Sequence, residues 1–240
     1  MNLIIFFILH WYLSLFFQTF FLHRYAAHNQ YKMNPFWEKI FFLMTFLIQG
    51  SSFLHPGAYA IMHRKHHKHS DTINDPHSPV IINNIFLFNK KTVLEYRKVV
   101  NQFLNNNIIV KDVPRWVELE KLSELWIVRI LFVLLYFVIY NLFSPSSWFY
   151  LLIPIHIFMG PLHGFIVNWF GHRYGYRNFK NTKDNSKNTL IIDLIMMGEL
   201  YQNNHHKKPN NRNFAHRWFE LDLGYIISFI LIKLRIIKKV

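Results

Sequence analysis

The sequence predicts an all-α fold: an integral membrane bundle of helices with a helical cap on one side of the bilayer. Hydrophobic residues make up 52% and aromatic residues 18% of the 240 residues, proportions typical of helices that face lipid. Long apolar runs alternate along the chain with polar and basic segments. In those polar segments histidines recur at the spacing i, i+3 and i+4, which favours helices there as well.

Three apolar runs are long enough to cross a bilayer, which requires about 20 residues. They occupy residues 3–22, 125–143 and 148–170. A further apolar segment, residues 36–59, is interrupted by Gly50 and by His55-Pro56-Gly57. We interpret it as a re-entrant or interfacial helix, because a full crossing would place histidine-rich segments on opposite sides of the membrane.

The polar segments 60–124 and 171–217 form the predicted cap of a single domain, residues 1–240. Residues 218–239 are rich in Ile and Leu and end in basic residues, so we expect an interfacial C-terminal helix. Two shorter helices are expected within the cap. They are an amphipathic helix at 92–100 and an apolar helix at 190–201.

The formal net charge is +14. The basic residues alternate with apolar runs and do not form a stripe, so a partner made of nucleic acid is not expected. Lys and Arg concentrate in the histidine-rich segments, whereas the turn 144–147 has none. The positive-inside rule therefore predicts a cytoplasmic cap that meets anionic lipid. We favour a bacterial inner membrane over the endoplasmic reticulum.

Residues 63–67 read His-Arg-Lys-His-His and hold three imidazoles. On a helix His63 shares a face with the positions three and four residues later. His66 and His67 diverge by about 100° and are therefore expected to bind two different metal ions. Residues 202–206, Gln-Asn-Asn-His-His, repeat this spacing with Gln202 in the place of the first histidine.

Two further pairs complete the pattern. His23 and His28 are separated by five residues, which would place them about 140° apart on a regular α-helix. A helix end, a distortion or two different ions would resolve this. Asn168 and His172 are separated by four residues and face the same way.

Imidazole is a common ligand for iron, zinc, copper and nickel, and eight histidines are too many for one ion. The chain has no cysteine, so thiolate metal sites and disulfides are excluded. Asp71 and Asp75 flank residues 63–67 and either hold ligand imidazoles in one tautomer or cap a helix. The other histidines are interpreted as structural: His10, His55, His69, His77, His156, His163 and His216.

These motifs resemble the three histidine boxes of the membrane fatty acid desaturases, H-x4-H, H-x2-H-H and H/Q-x2-H-H. Residues 63–77, HRKHHKHSDTINDPH, are most similar to the acyl-CoA (stearoyl-CoA, delta-9 type) branch. Asn168 and His172 with the following Gly-Tyr-Arg resemble its N-x3-H-x2-GYR element. The resemblance covers roughly residues 20–220. Gln202 departs from this branch, which normally has histidine there, and is similar to front-end desaturases.

The resemblance implies a diiron centre that uses dioxygen to introduce a cis double bond into a long-chain acyl group, with acyl-CoA expected as the substrate. Electrons would come from a partner such as ferredoxin or a b-type cytochrome. Asn168 would act through a water, and Gln202 through its carbonyl oxygen or a bound solvent molecule. The implied metal ligands are His23, His28, His63, His66, His67, His172, His205, His206, Asn168 and Gln202.

By charge alone, five basic residues of the cap are candidates for contact with the substrate headgroup: Arg64, Lys65, Lys68, Arg173 and Arg177. Two alternatives to desaturation remain. A related diiron hydroxylase would insert oxygen after removal of the first hydrogen. A membrane metal-binding or transport protein would carry its ligands at mid-bilayer, whereas the boxes here lie at helix ends.

Overall fold

The computed structural model describes residues 2–240 and is built mainly of helices, which confirms the predicted all-α membrane bundle. Helix α1 (Leu3–Phe17) continues directly as a π-helix (Gln18–Ala27). The helices that follow are α2 (Pro35–Gln49), α3 (Pro56–His69), α4 (Ile85–Leu104), α5 (Val117–Glu124), α6 (Trp126–Phe143), α7 (Ile153–Ile157), α8 (Met159–Gly171), α9 (Gln202–Lys207) and α10 (Leu223–Lys233). Short 3-10 helices lie at Gly50–Ser52 and Ser147–Leu152.

Two continuous helices are long and apolar enough to cross a membrane, Leu3–Ala27 and Trp126–Phe143. Two other apolar pairs are bent: α2 with its 3-10 extension meets α3 at 80°, and the stretch ending in α7 meets α8 at 73°. Residues 148–170, expected to form one span, are therefore not one straight helix, because the chain leaves helical geometry at Phe158 (φ −112°, ψ 18°). The re-entrant interpretation of 36–59 stays a prediction.

The break between α2 and α3 has a local cause. Gly50 adopts a positive φ of 53°, which favours glycine, and a Cβ there would collide with the Tyr136 hydroxyl. Helix α3 then begins with Pro56 in its first turn and is capped by the His55 imidazole, whose Nδ1 accepts from the Ala58 N–H at 3.3 Å. The bend brings α3, and the histidines on it, against the π-helix.

The cap differs from expectation in two places. Helix α4 is longer than the predicted helix at 92–100. Residues 190–201, expected to be helical, form a series of turns. The Asp193 carboxylate accepts three backbone N–H groups of this segment and so competes with helical hydrogen bonds, and Met197 adopts a left-handed conformation.

The C-terminal segment 218–239 is helical only at α10. Residues Ile237–Lys239 instead form strand β2, which pairs antiparallel with β1 (Tyr31–Met33). These two are the strands within residues 2–240. Their pairing holds the C-terminal residues against the turn that follows the π-helix.

A fully buried ion pair fixes the π-helix to the segment before α10. The Arg24 guanidinium donates from Nη2 to both carboxylate oxygens of Asp222, at 2.9 and 2.8 Å, and from Nη1 to Glu199 at 3.0 Å. Bidentate geometry of this kind compensates best for the desolvation of both charges.

Replacing one partner of this pair is expected to be costly, because the other charge would stay buried without a counter-charge. We expect Arg24→Gln to destabilise the protein by about 3–5 kcal/mol, measured as a lower melting temperature in detergent. Arg97, whose side chain is 49% exposed and lies 3.9 Å from Glu124, provides the matched control. Arg97→Gln should change stability little, and equal losses in both variants would contradict this account.

Candidate metal centre

The eight boxed histidines gather into two groups at the end of the π-helix. The five-histidine group consists of His23, His28, His63, His67 and His205. The three-histidine group consists of His66, His172 and His206. In each group the candidate ligand nitrogens lie within 4.8 Å of one another. The neighbours His66 and His67 enter different groups, because adjacent side chains on a helix diverge.

The π-helix explains how the first box reaches one group. The His28 N–H donates to the His23 carbonyl at 3.0 Å, an i→i+5 bond that is characteristic of π-helices. In such a wider turn, side chains five residues apart point in similar directions, whereas on a regular α-helix they would diverge. Of the three alternatives that the sequence left open, the distortion is the one present, and both imidazoles enter the five-histidine group.

The contacts inside the five-histidine group suit a metal ion better than hydrogen bonds. Nε2 atoms meet at 2.8 Å (His28 and His63), 2.9 Å (His63 and His67), 2.9 Å (His67 and His205) and 3.1 Å (His23 and His205). A neutral imidazole nitrogen carries one hydrogen or one lone pair, whereas the Nε2 atoms of His63, His67 and His205 each take part in two of these contacts, so the set cannot all be ordinary hydrogen bonds. Ligands about 2.1 Å from one ion and at right angles would be about 3.0 Å apart.

The three-histidine group presents free nitrogens in the same way. The Nε2 atoms of His66, His172 and His206 are buried and lack a hydrogen-bond partner. Each Nδ1 atom contacts a carboxylate, at 2.9 Å in His66 with Asp75, 3.0 Å in His172 with Asp71 and 2.6 Å in His206 with Asp184. Carboxylates on Nδ1 fix the tautomer and the ring orientation and leave Nε2 for a metal.

These contacts hold the carboxylates ionised, whereas burial favours the neutral form of the His206 imidazole. Burial alone would raise the pKa of Asp71, but the hydrogen bond and charge of His172 lower it to about 2. The pKa values of Asp75 and Asp184 are also lowered well below the usual range, by His66 and His206 respectively. Burial lowers the pKa of His206 to about 4, although Asp184 acts in the opposite direction. Neutral imidazole is the form that binds metal.

Glu199 is the corresponding carboxylate of the five-histidine group. Its Oε2 lies 2.7 Å from His23 Nδ1, and its Oε1 accepts from the Arg24 guanidinium and from the Thr19 hydroxyl. The same π-helix therefore supplies a ligand candidate and both groups that position its carboxylate partner.

His77 lies closer to the centre than the sequence indicated. Its ring stacks on that of His66 with centroids 4.6 Å apart, and it forms a further potential ligand group with His66 and Asp75. Both of its ring nitrogens are buried without a partner, and burial lowers its pKa to about 3. The interpretation of His77 as merely structural therefore does not account for its surroundings.

Asn168 and Gln202 also border the centre, but their amide groups donate to backbone carbonyls. Asn168 Nδ2 donates to the Gly164 carbonyl at 2.8 Å, and Gln202 Nε2 donates to the Glu199 carbonyl at 2.7 Å. The side chain of Gln202 packs so closely on Gly171 that a Cβ at position 171 would collide with it. Both amide side chains line the adjoining cavity.

A largely apolar cavity of about 550 Å³ extends from the histidines into the bundle. At the centre it is bordered by His23, His63 and His77. Its walls include Leu15, Phe53, Met62, Phe88, Val93, Ile130, Val133, Phe158 and Phe165. Its shape and lining suit a flexible hydrocarbon, and its contact with the histidines would bring such a chain beside the candidate ligands.

The five basic residues selected by charge do not line this cavity. Arg64 instead donates to the carbonyls of Ala26 and Ala27, at 2.9 and 2.7 Å, and so binds the end of the π-helix. Arg177 donates to the Asp184 carbonyl at 3.0 Å, and Arg173 stacks on Trp169. Lys65 and Lys68 are exposed. The arginines that do line the cavity are Arg97 and Arg129, together with Glu124.

Sequence reasoning missed several residues of the centre. Asp184 and Glu199 contact boxed imidazoles from loops, and no spacing rule connects them to the boxes. Glu199 had one available signal, since it precedes Gln202 by three residues and so approaches the same turn. The position of Arg97 and Arg129 at the cavity could not be predicted, because they lie on helices that are distant in sequence from the boxes.

A protein-family model identifies the family to which this chain belongs. The fatty acid desaturase model matches residues 2–225, and the chain belongs to this family.

Individual relatives are distant. The chain is 27% identical over 240 residues to the hex-5-enoyl-[acyl-carrier protein] acetylenase of Moorena producens (strain JHB), covering 95% of this chain and 73% of the relative. It is 27% identical over 217 residues to the Delta-9 acyl-lipid desaturase 1 of Arabidopsis thaliana, with coverage of 87% and 65%. The acyl-CoA C20 Delta5-desaturase of Anemone leveillei is 26% identical over 214 residues, with coverage of 87% and 64%. The chain thus spans roughly two thirds of these relatives, whose names refer to three different acyl carriers.

The carboxylate contacts generate a prediction about metal content. Asp184→Asn keeps the size of the side chain but removes the charge beside His206, so metal affinity of the three-histidine group should fall by about 10–100-fold. Elemental analysis after dialysis should show loss of up to one metal equivalent per chain. Glu118→Gln, at an exposed residue of α5 that belongs to neither histidine group, is the control. Unchanged metal content in Asp184→Asn would contradict a positioning role.

Proposed function

We propose that this protein is an oxygen-dependent desaturase that introduces a cis double bond into a long-chain acyl group at two iron ions. The observation that carries the proposal is the convergence of eight imidazoles, in two groups, at the edge of an apolar cavity. Family membership supports the reaction class. The position of the basic segments supports a site on the cytoplasmic face of the membrane, with a bacterial inner membrane favoured.

Two irons held there would supply the redox chemistry that couples reduction of dioxygen to removal of two hydrogens from adjacent carbons. The balance requires two electrons and two protons in addition to those hydrogens, and two water molecules form. The electrons would come from a partner such as ferredoxin or a b-type cytochrome. Acyl-CoA is the proposed substrate form, and dioxygen is the co-substrate.

The protein's own contribution is orientation and exclusion of water. The carboxylates of Asp71, Asp75, Asp184 and Glu199 fix the imidazole rings, so the ligand nitrogens need little rearrangement. The apolar cavity holds a methylene pair beside the centre, and its fit to the chain determines which pair is presented. The apolar lining of the cavity would limit the access of water to the centre and so reduce side reactions.

The related hydroxylase reaction is the second candidate, because the same residues would hold the same metal ions and would orient the same carbon for insertion of one oxygen atom. The two reactions differ in product mass: the desaturase product loses two hydrogens, and the hydroxylase product gains one oxygen. A metal-binding protein without catalysis would form neither product.

The deciding experiment is the fatty acid profile of an expression host with and without the gene, analysed by mass spectrometry as methyl esters. We expect a new species two mass units lighter than its parent, together with about two metal ions per purified chain. His205→Ala should abolish the product, whereas His69→Ala, outside both groups, should retain it. A product that gains oxygen would favour the hydroxylase. Metal binding without any product from the purified protein and a working electron donor would favour the metal-binding alternative.

The residues at the cavity lining also suggest how the polar end of the substrate is held. Arg129 donates to Glu124 at 2.6 Å and to the Ser51 carbonyl at 3.2 Å, so it is already well paired. Arg97 is half exposed and only loosely paired, which leaves its guanidinium free to bind an anionic headgroup. Arg97 therefore replaces the five candidates chosen by charge.

We expect Arg97→Gln to raise the KM for acyl-CoA roughly tenfold with little change in kcat, since about 1.4 kcal/mol of binding that does not involve the reacting carbons would be lost. Lys65→Gln, which removes an exposed positive charge that does not line the cavity, is the matched control. Steady-state kinetics of both variants check this. An equal rise in both would indicate a diffuse electrostatic effect and remove Arg97 from the site.

A further inference from the structure

The turns at residues 190–197 expose an unusual surface. Four large apolar side chains lie outward there, with relative exposures of 65% for Ile191, 52% for Ile192, 48% for Leu194 and 56% for Ile195. Residues 189–198 contain one charged residue, Asp193, and its carboxylate is fully buried. The net charge of the chain is +14, so an uncharged apolar surface of this kind indicates a site of contact with lipid or with another protein.

The segment is rigidly built. The Asp193 carboxylate accepts the N–H groups of Met196, Gly198 and Leu200, at 2.8, 3.0 and 2.9 Å. The Asp193 N–H in turn donates to the Tyr201 hydroxyl at 2.9 Å. These bonds satisfy four backbone N–H groups between Asp193 and Leu200. An irregular segment can enter hydrocarbon only when its polar groups are satisfied or covered by protein.

The position of the segment along α1 places it at membrane depth. The Trp11 indole Nε1–H donates to the Ile195 carbonyl at 3.1 Å. Trp11 precedes His23 by twelve residues, which corresponds to roughly 18 Å along a helix. On their inner side Met196 and Met197 pack with Leu15 in one buried cluster.

The two helices that pack on this segment also carry exposed apolar side chains. These are Leu9 and Leu13 on α1, and Ile226, Phe229 and Ile230 on α10. We propose that residues 190–197 form a membrane wedge, whose side chains Ile191, Ile192, Leu194 and Ile195 insert into the hydrocarbon of the leaflet nearest the histidines. The partner of this surface is lipid. A second protein molecule is the competing occupant.

The wedge also connects the bilayer to the metal centre. Only Gly198 separates it from Glu199, whose carboxylate contacts His23, and α9 with His205 begins three residues later. The wedge thus anchors the third histidine box to the membrane at the depth of the apolar cavity.

The absence of cysteine makes a direct test possible, because a single introduced cysteine can be labelled with a nitroxide. We expect the label at Ile192→Cys, in the full protein reconstituted into liposomes at high lipid-to-protein ratio, to collide with oxygen but lose collisions with a water-soluble nickel chelate. Leu9→Cys on the exposed face of α1 should behave in the same way. Ile109→Cys, at a residue 82% exposed in the loop after α4, should show the opposite pattern.

Nickel collisions at position 192 that match those at position 109 would place the segment in water and overturn the proposal. Low collision rates with both reagents would show a protein contact in place of lipid and would overturn it as well. Circular dichroism and metal content of the labelled Ile192→Cys protein, compared with the unmodified protein, establish that the fold is retained.

Discussion

The contact between carboxylate and imidazole Nδ1 is the interaction on which this centre depends. Asp71, Asp75, Asp184 and Glu199 each contact one boxed histidine and determine which ring nitrogen stays free. Without them, clustered neutral imidazoles could rotate and hydrogen-bond to one another, and the free nitrogens would no longer converge. The carboxylates come from three separate segments, one after α3, one after α8 and one just before α9, so these segments must all be in place before the histidines can point at common positions.

The helices of the membrane bundle bring the histidine boxes together at the end of the π-helix. The π-helix brings His23 and His28 together through its wider turn, and the 80° bend after Gly50 returns α3 toward it. Arg64 then ties α3 to the last carbonyls of the π-helix. The cavity lies where these bent elements leave a gap, with α4 and α6 on its outer side. The breaks that interrupt the apolar helices therefore border the apolar cavity.

Much of this could be predicted from the sequence because it depends on local spacing. The apolar runs indicated the membrane helices, and the divergence of His66 and His67 indicated two groups. Features that depend on tertiary contacts could not be predicted in this way. The turns at 190–201 form because the Asp193 carboxylate takes three backbone N–H groups, a choice that periodicity does not reveal. Strand β2 exists only because β1 is available to pair with it.

For Gln202 the sequence spacing predicted the position of the side chain but not its contacts. Its position relative to His205 copies that of His63 relative to His66, and the backbone indeed carries it to the edge of the centre and the cavity. There its amide nitrogen is committed to the Glu199 carbonyl, and its methylenes fill the space above Gly171. The carbonyl oxygen is then the part of the side chain left to face a ligand, and it is a weaker donor to metal than imidazole. The three-histidine group thus has fewer strong ligands than the five-histidine group. A metal ion held by the three-histidine group would therefore have fewer imidazole ligands, and other donors such as the Gln202 carbonyl or solvent would have to complete its coordination.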